Sequence, residues 1–353
     1  MTLISILLYP ISLIYSLIIA FRNKLYDFKI FRYSEFDIPI INVGNISVGG
    51  NGKTPQVEYI AELLQDNYNI AILSRGYGRK SKGFREVAIN DLASESGDEP
   101  LQMKNTFQEK VSVFVGENRV EAITKILFQY PETELIILDD AFQHRAIKAG
   151  LNLLLTDYNS LFVNDKMLPL GHLRESKKGA KRAHLIVVTK CPDTIDIHRK
   201  NEIRNQLSAY CSQIVFSKLQ YGEMFNLFET KDKESAIINE RFITVSAIAK
   251  PKPFEEYSEK KFNVVGKMSF RDHHRFSSSN IDAIEKKIHS FAPLEIQVLT
   301  TAKDATRFKE FFLKKKLSFK VKVLPIRAHF DDYEKEYFEN LIMEYVRENT
   351  RNS

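Results

Sequence analysis

The chain has 353 residues, too many for one small core, and its 44% hydrophobic and 27% charged content excludes a disordered or fibrous protein. A net charge of +6 favours anionic partners such as phosphorylated substrates, acidic lipid surfaces or nucleic acid, although a basic surface kept for solubility explains it equally well. The two cysteines, Cys191 and Cys211, make neither a C-x-x-C pair nor a zinc spacing, which excludes a disulfide framework and fits a reducing compartment.

Residues 3–21 carry no charge, and Arg22, Lys24, Lys29 and Arg32 follow them. A secretory signal fits poorly, because no basic residue precedes the apolar run and no A-x-A site follows it. The length suffices for a membrane-crossing helix. Pro10 would kink such a helix, and Ser5, Ser12 and Ser16 lower its hydrophobicity. A kinked helix lying in one leaflet, with the basic cluster on lipid headgroups, is a further reading. A helix buried in the protein's own core is the plain structural alternative. The basic residues after the run fit the positive-inside tendency, so residues 1–34 are expected to be a membrane-associated segment at the cytoplasmic face.

From residue 35 to 215, apolar runs alternate with loop or helical stretches: strands at 38–43, 69–74, 111–115, 134–139, 151–157 and 184–189, with a helix from Lys53 to about Gln65. That alternation predicts a mostly parallel sheet with helices on both faces. The pattern weakens over 216–240, where KDKES at 231–235 suggests a linker. A smaller α/β unit is expected over 241–348, with strands at 242–247, 261–266, 295–300 and 320–325 and helices near 252–260, 278–290, 304–315 and 332–348.

The stretch ISVGGNGKTP at 46–55 ends like a phosphate-binding loop, but Ser47 stands where the generic pattern has its first glycine. Ser47, Val48, Gly49, Gly50, Asn51 and Gly52 would cradle phosphates with backbone N–H groups. Lys53 would neutralise the β- and γ-phosphates, and Thr54 would hold Mg²⁺. The run ELIILDD then carries Asp139 and Asp140 to the end of a buried strand, where a nucleotide site keeps its metal-serving acid.

Two further stretches bear on the chemistry. SGDEP places Asp98 in a glycine-proline loop, and RDHHRF gathers Asp272, His273 and His274. An aspartate can take an alcohol proton during phosphoryl transfer, and a histidine can orient it. A zinc site at the histidine pair is not indicated, since no matching His or Cys spacing accompanies it.

In their order, INVGNISVGGNGKTP, SRGYGRK, SGDEP, ILDDAFQHR, LPLGHLRE, the DHH triplet and TTAKDATRF resemble the motifs of the tetraacyldisaccharide 4′-kinase (lipid A 4′-kinase) family, over residues 1 to about 308. Ser47 then looks like a trait of that family. His172 and the alanine of TTAKD depart from its commoner pattern, and both lie away from the residues assigned to chemistry. The resemblance implies a P-loop fold and transfer of the ATP γ-phosphate to the 4′-hydroxyl of a tetraacyldisaccharide 1-phosphate, at the inner membrane of a Gram-negative bacterium. It implies ATP and Mg²⁺ as cofactors, Asp98 as general base, His273 as its partner, and Asp139 and Asp140 for the metal. The expected partners are the acylated sugar and a lipid surface, with no nucleic acid and no obligate protein partner.

Two rivals compete with this reading. A membrane-attached nucleotide switch accounts for the loop and the acids but leaves Asp98 and the DHH triplet without a role. Its guanine-reading motif is imperfect in VVTKCPD, where Thr189 replaces asparagine and Asp193 is displaced by one residue. A nucleic-acid-dependent ATPase is supported by charge alone. The arginine that would stabilise the transferring phosphoryl group is one of Arg75, Arg119 and Arg174. The basic runs at 75–85 and 175–182 could meet the substrate's 1-phosphate or anionic lipid, or be solvated faces.

Overall fold

Short β-rich runs such as IINVG and LIILD are apolar at every second position on both sides, so they suit strands covered on both faces. In the computed structural model, which describes residues 3–227, 240–272, 274–314 and 317–350, they build the centre of the larger sheet. Among the described residues that sheet has nine strands, in the order Ile326–Phe330, Ile214–Tyr221, Leu185–Cys191, Leu151–Asp157, Ile40–Gly44, Leu135–Asp139, Ile70–Ser74, Ser112–Val115 and Arg85–Glu86. The strands at the two edges run antiparallel to their neighbours and the rest are parallel.

Both faces are covered. Ile41, Val43, Ile72 and Ile137 point into a core shared with the helices Lys53–Leu64, Asp98–Phe107 and Asp332–Asn349. Ile40, Leu73, Ile136 and Leu138 face the helix Arg119–Gln129 on the other side, and Leu154, Ile186 and Val188 meet Ile197–Leu207. Each of the six strands expected before residue 190 is present within two residues of its expected ends.

The second sheet has five strands among the described residues, in the order Asn263–Ser269, Arg241–Ser246, Ile296–Thr301, Val321–Leu324 and Phe225–Asn226. Two expectations about boundaries need correction. The stretch expected to be a linker begins with the strand Ile214–Tyr221, whose polar Ser217, Lys218 and Gln220 hid it; Ser217 is buried, and its Oγ accepts from Gln56 Nε2 at 2.8 Å. KDKES lies outside the described residues. The smaller unit also does not run to residue 348. The strand Ile326–Phe330 returns to the larger sheet, and Phe338, Ile342 and Val346 of the following helix are fully buried in its core. Tyr345 clamps the end of that helix to the central strand, its hydroxyl donating to Ile40 O (3.1 Å) and accepting from Ile40 N (3.0 Å).

The N-terminal run is one helix, Leu3–Asp27, with Pro10 inside it. Its docked stripe is polar and helically spaced. Ser12 Oγ donates to Met167 O (3.0 Å), Tyr15 OH to Arg174 O (2.9 Å) and Arg22 to Gln143 O (3.4 Å). Leu7, Ile11, Ile14, Leu17, Ile18 and Phe21 point the other way and are 54–69% exposed. A helix buried in the protein's own core is therefore ruled out. No helix among the described residues is long and apolar enough to cross a membrane.

The two units meet where the helix Ala302–Lys314 lies against Asp98–Phe107. Lys303 pairs with Glu99 at 3.2 Å, Arg307 with Asp98, and Lys309 donates to Ile89 O (2.6 Å) and Asn105 Oδ1 (3.1 Å).

One buried acid in this frame gives a stability test. Glu58 accepts from Gln102 Nε2 at 2.9 Å, and burial pushes its carboxyl up from 4.5 to about 7. A folded-state value above the unfolded one means that the folded protein holds the proton more tightly. This contribution is fully present below pH 4.5 and is lost as pH rises through about 7. Glu58→Gln keeps the acceptor and removes the ionisation. Its melting temperature should exceed that of the parent at a pH of about 8, and the two should converge near a pH of about 4.5. Parallel melting curves for the two proteins across that range would rule this out.

Candidate active site

The loop after the Ile40–Gly44 strand opens at the C-terminal edge of the parallel strands, where ligand clefts form in α/β sheets. Gly44 is required there: a Cβ would meet Phe142 Cβ at 2.7 Å, because the segment after Asp140 crosses directly over it. Gly49 (φ 110°) and Gly52 (φ 75°) take left-handed conformations, and Gly52 caps the helix that starts at Lys53. Gly49 and Gly50 are exposed, as a loop that must face a ligand requires.

Three supports hold this loop from behind. Val48 N donates to His172 O (2.8 Å) and Arg174 N donates to Ile46 O (2.8 Å), so residues 172–174 lie along it like a short strand. Thr189 Oγ1 donates to Asn51 O at 3.0 Å. Thr189 thus braces the phosphate loop, which takes VVTKCPD away from base reading. Inside the loop, Asn51 Nδ2 donates to the buried Ser47 Oγ at 2.9 Å. Ser47 is the side chain that closes the loop, and this gives the missing first glycine a physical account.

Parallel pairing sets Val43 opposite Asp139, so the loop and the acids share one edge. Asp140 has φ 50°, a conformation that aspartate tolerates better than most residues, and its N–H donates to Val43 O (3.0 Å). Its carboxylate is 3.7 Å from Lys53 Nζ and 3.1 Å from Arg174 Nη1. Burial pushes Asp140 up, but Lys53 and Arg174 outweigh it and hold the group below the usual range. Asp139 is 1% exposed; its Oδ2 accepts from Ser74 Oγ (3.1 Å), and its Oδ1 has no hydrogen-bond partner among the described residues. Burial, then the charges of Glu99 and Asp140, push Asp139 up to about 7. A buried carboxylate oxygen without a partner is costly unless a cation reaches it.

Thr54 is the second residue of the adjoining helix, so Asp139, Asp140 and Thr54 fit a Mg²⁺ bound by few protein ligands and completed by water and phosphate oxygens. Among the described residues no group of three or more His, Cys, Asp or Glu could hold a metal without such help.

The candidate arginines separate. Arg174 touches Asp140, and Arg75 is exposed. Arg119 is 3% exposed and pinned by Gly116 O (2.8 Å); burial pushes it down to about 10 against the pull of Asp139 and Asp140. The basic runs prove partly structural. Arg79 is held by Gly83 O and Glu117, each at 2.6 Å, and Arg182 by the fully buried Glu175 at 3.0 Å.

Asp98 is not in a loop. It opens the helix Asp98–Phe107, with Gly97 as its N-cap. The order Gly, Asp, Glu, Pro is itself a helix-start signal, and the glycine-proline pair masked it. The helix's positive end favours the ionised forms of Asp98 and Glu99. Arg307 Nη2 bonds Asp98, while its Nη1 donates to Ala247 O (3.3 Å), His274 O (3.3 Å) and Asp304 Oδ1 (3.1 Å). One guanidinium therefore joins Asp98 to the stretch around the DHH triplet. His273 itself lies outside the described residues. His274 bonds Asn280 Oδ1 (2.9 Å) and stacks on Phe270.

Sequence reasoning passed over Glu99, whose charge acts on Asp139, and Lys303 and Arg307, which reach Glu99 and Asp98 from the other unit. It also gave no role to His144, which burial and then Arg119, Arg75 and Arg22 push down to about 4. Only SGDEP and TTAKDATRF carried a hint of these, as polar residues bunched at helix starts.

The Ser47–Asn51 bond makes a prediction. Ser47→Gly restores the generic loop but leaves a buried amide unpaired, a cost of about 1–3 kcal/mol. ATP binding by calorimetry should weaken about tenfold, and the melting temperature should fall by a few degrees. Unchanged affinity would remove Ser47 from loop closure.

This constellation agrees with what the chain is similar to. The family model described as tetraacyldisaccharide-1-P 4′-kinase matches residues 4–347. A tetraacyldisaccharide 4′-kinase of Flavobacterium johnsoniae is 41% identical, covering 99% of each chain. That of Bacteroides thetaiotaomicron is 40% identical over 98% of this chain and 94% of its own. The crystal structure of the "apo" form of LpxK from Aquifex aeolicus in complex with ATP superposes with a TM-score of 0.75 at 30% identity, covering 98% of this chain and all of that one. The protein belongs to the tetraacyldisaccharide 4′-kinase family.

Proposed function

We propose that this protein is an ATP-dependent lipid kinase that transfers the γ-phosphate to the 4′-hydroxyl of a tetraacyldisaccharide 1-phosphate, in lipid A synthesis of a Gram-negative bacterium. What supports the reading is a braced phosphate loop sharing one sheet edge with the Asp139–Asp140 pair, together with Asp98 at the head of a helix whose next residue, Glu99, acts on Asp139 by its charge. A nucleotide switch would need the first two only.

The loop N–H groups and the Lys53 helix end hold the phosphates, and Lys53 neutralises their charge. Bound Mg²⁺, held by Thr54, Asp139 and Asp140, would supply charge neutralisation on the nucleotide phosphates. Arg174, against Asp140, stands ready at the same edge. The acceptor oxygen forms its bond to the γ-phosphorus as the bond to the ADP oxygen breaks, and Asp98 takes the hydroxyl proton. His273 is the proposed partner of Asp98. Closure of the smaller unit over the cleft would exclude water as a competing acceptor.

The lipid acceptor requires work at a bilayer surface. The Leu3–Asp27 helix suits this, because its polar stripe is spent on the protein and its apolar face is turned outward. Basic residues Lys24 and Lys29 at its end, both exposed, suit anionic headgroups on the cytoplasmic face of the inner membrane.

Labelled γ-phosphate from ATP should appear in a tetraacyldisaccharide 1-phosphate in detergent micelles, and Asp98→Ala should lower turnover by about 10²–10⁴-fold with ATP binding intact. Steady ATP hydrolysis without lipid product would favour the switch. In a separate flotation assay with vesicles containing anionic lipid, the Ile14→Asp, Ile18→Asp double variant should lose most bound protein, since each charge would enter the headgroup–acyl boundary. Flotation equal to the parent would remove this helix as the anchor.

A further inference from the structure

The Ala302–Lys314 helix turns Lys303 and Arg307, one helical turn apart, toward Glu99 and Asp98, the two residues that open the Asp98–Phe107 helix. The two arms differ in how they are held. Arg307 is buried at 5% exposure and its Nη1 is fully committed to its own unit, on Ala247 O, His274 O and Asp304 Oδ1. Asp304 is locked in turn: its Oδ2 accepts from Ala247 N and from Thr301 Oγ1, each at 2.9 Å. Nη2 crosses to the larger unit, to Asp98.

We infer that Arg307 is a positioning residue for Asp98, one that sets the direction of its carboxylate from the opposite unit; this rests on the reading of Asp98 as the base. A planar guanidinium with one nitrogen fixed by three acceptors aims the other nitrogen in a single direction. The carboxylate follows, because a charge-assisted bond in a site 15% exposed on the aspartate side is strong and directional. Arg307 therefore aligns Asp98 while the smaller unit is docked, and the same guanidinium fixes the backbone at His274, next to the proposed partner of the base. Alignment of the base and placement of the DHH stretch are one event, carried by one side chain. Lysine cannot reproduce it, since a single ammonium cannot serve Asp304 and Asp98 from the same fixed fork.

The test is a set of four full-length variants, each assayed for transfer to the lipid acceptor, ATP binding and melting temperature. Arg307→Lys keeps the charge and loses the fork. Its kcat should fall about 10–100-fold, the scale set by a misplacement of about 1 Å, while KM for ATP stays within about twofold. Lys309→Ala loosens the same interface away from Asp98, by removing the contacts to Ile89 O and Asn105, and should keep kcat within about twofold of the parent. Asp98→Asn should abolish most turnover, and its residual rate is read in single-turnover incubations with excess enzyme. Adding Arg307→Lys to Asp98→Asn should cost less than about twofold more, because residues acting as a unit are not additive. The inference is overturned by parental kcat in Arg307→Lys, by an equal loss in Lys309→Ala, or by the full Arg307→Lys loss repeated in the Asp98→Asn background. Parental turnover in Asp98→Asn alone would instead remove Asp98 as base and this role with it. A loss in Asp98→Asn with none in Arg307→Lys would leave the base in place and remove only its positioning.

Discussion

The parallel pairing that sets Val43 against Asp139 is the constraint on which the rest of the molecule depends. It brings the start of the phosphate loop and the two acids to the same edge, though nearly a hundred residues separate them. Gly44 admits the chain that follows Asp140 at a distance no side chain would allow. Asp140 answers with a left-handed backbone, which turns its carboxylate to Lys53 and Arg174. Asp139, one residue earlier, stays in the strand and remains buried, with one oxygen unpartnered among the described residues. Neighbouring aspartates are thus driven in opposite directions, one held ionised by cations and one pushed toward neutrality by burial. A cation bound at this edge would offset that asymmetry.

Around this edge, most polar side chains brace and few are left for the ligand. Ser47 and Thr189 spend their hydroxyls on Asn51. Residues 172–174 line the back of the loop, and the Leu3–Asp27 helix bonds the carbonyls of Met167 and Arg174 on the far side of the same stretch. The apolar helix is therefore fastened close to the phosphate loop. The proposed transfer, from a donor in water to an acceptor in a bilayer, would need that proximity.

Much of this was legible along the chain. Strands of the larger sheet announce themselves as short apolar runs, because burial on both faces leaves no room for polar alternation. The loop, the acid pair and the order of the motifs are local, and local chemistry is written in contiguous residues. Legibility failed where local signals conflicted. Asp98 looked like a turn residue between glycine and proline, yet those flanking residues are also what starts a helix. Ile214–Tyr221 looked like a linker, since its polar residues find buried partners that are distant in sequence.

By itself the sequence determined the α/β class, the phosphate loop with its helix, the acids at the end of a neighbouring strand and an apolar N-terminus, because each depends on residues within a few positions of one another. Only the tertiary structure decided that Ile326–Phe330 returns to the first sheet, that the outward face of the first helix is the apolar one, and that Arg307 crosses between units to Asp98. Those outcomes turn on which surfaces meet after the chain has folded back over some two hundred residues, and no local pattern of charge or hydrophobicity encodes the partner of a single guanidinium.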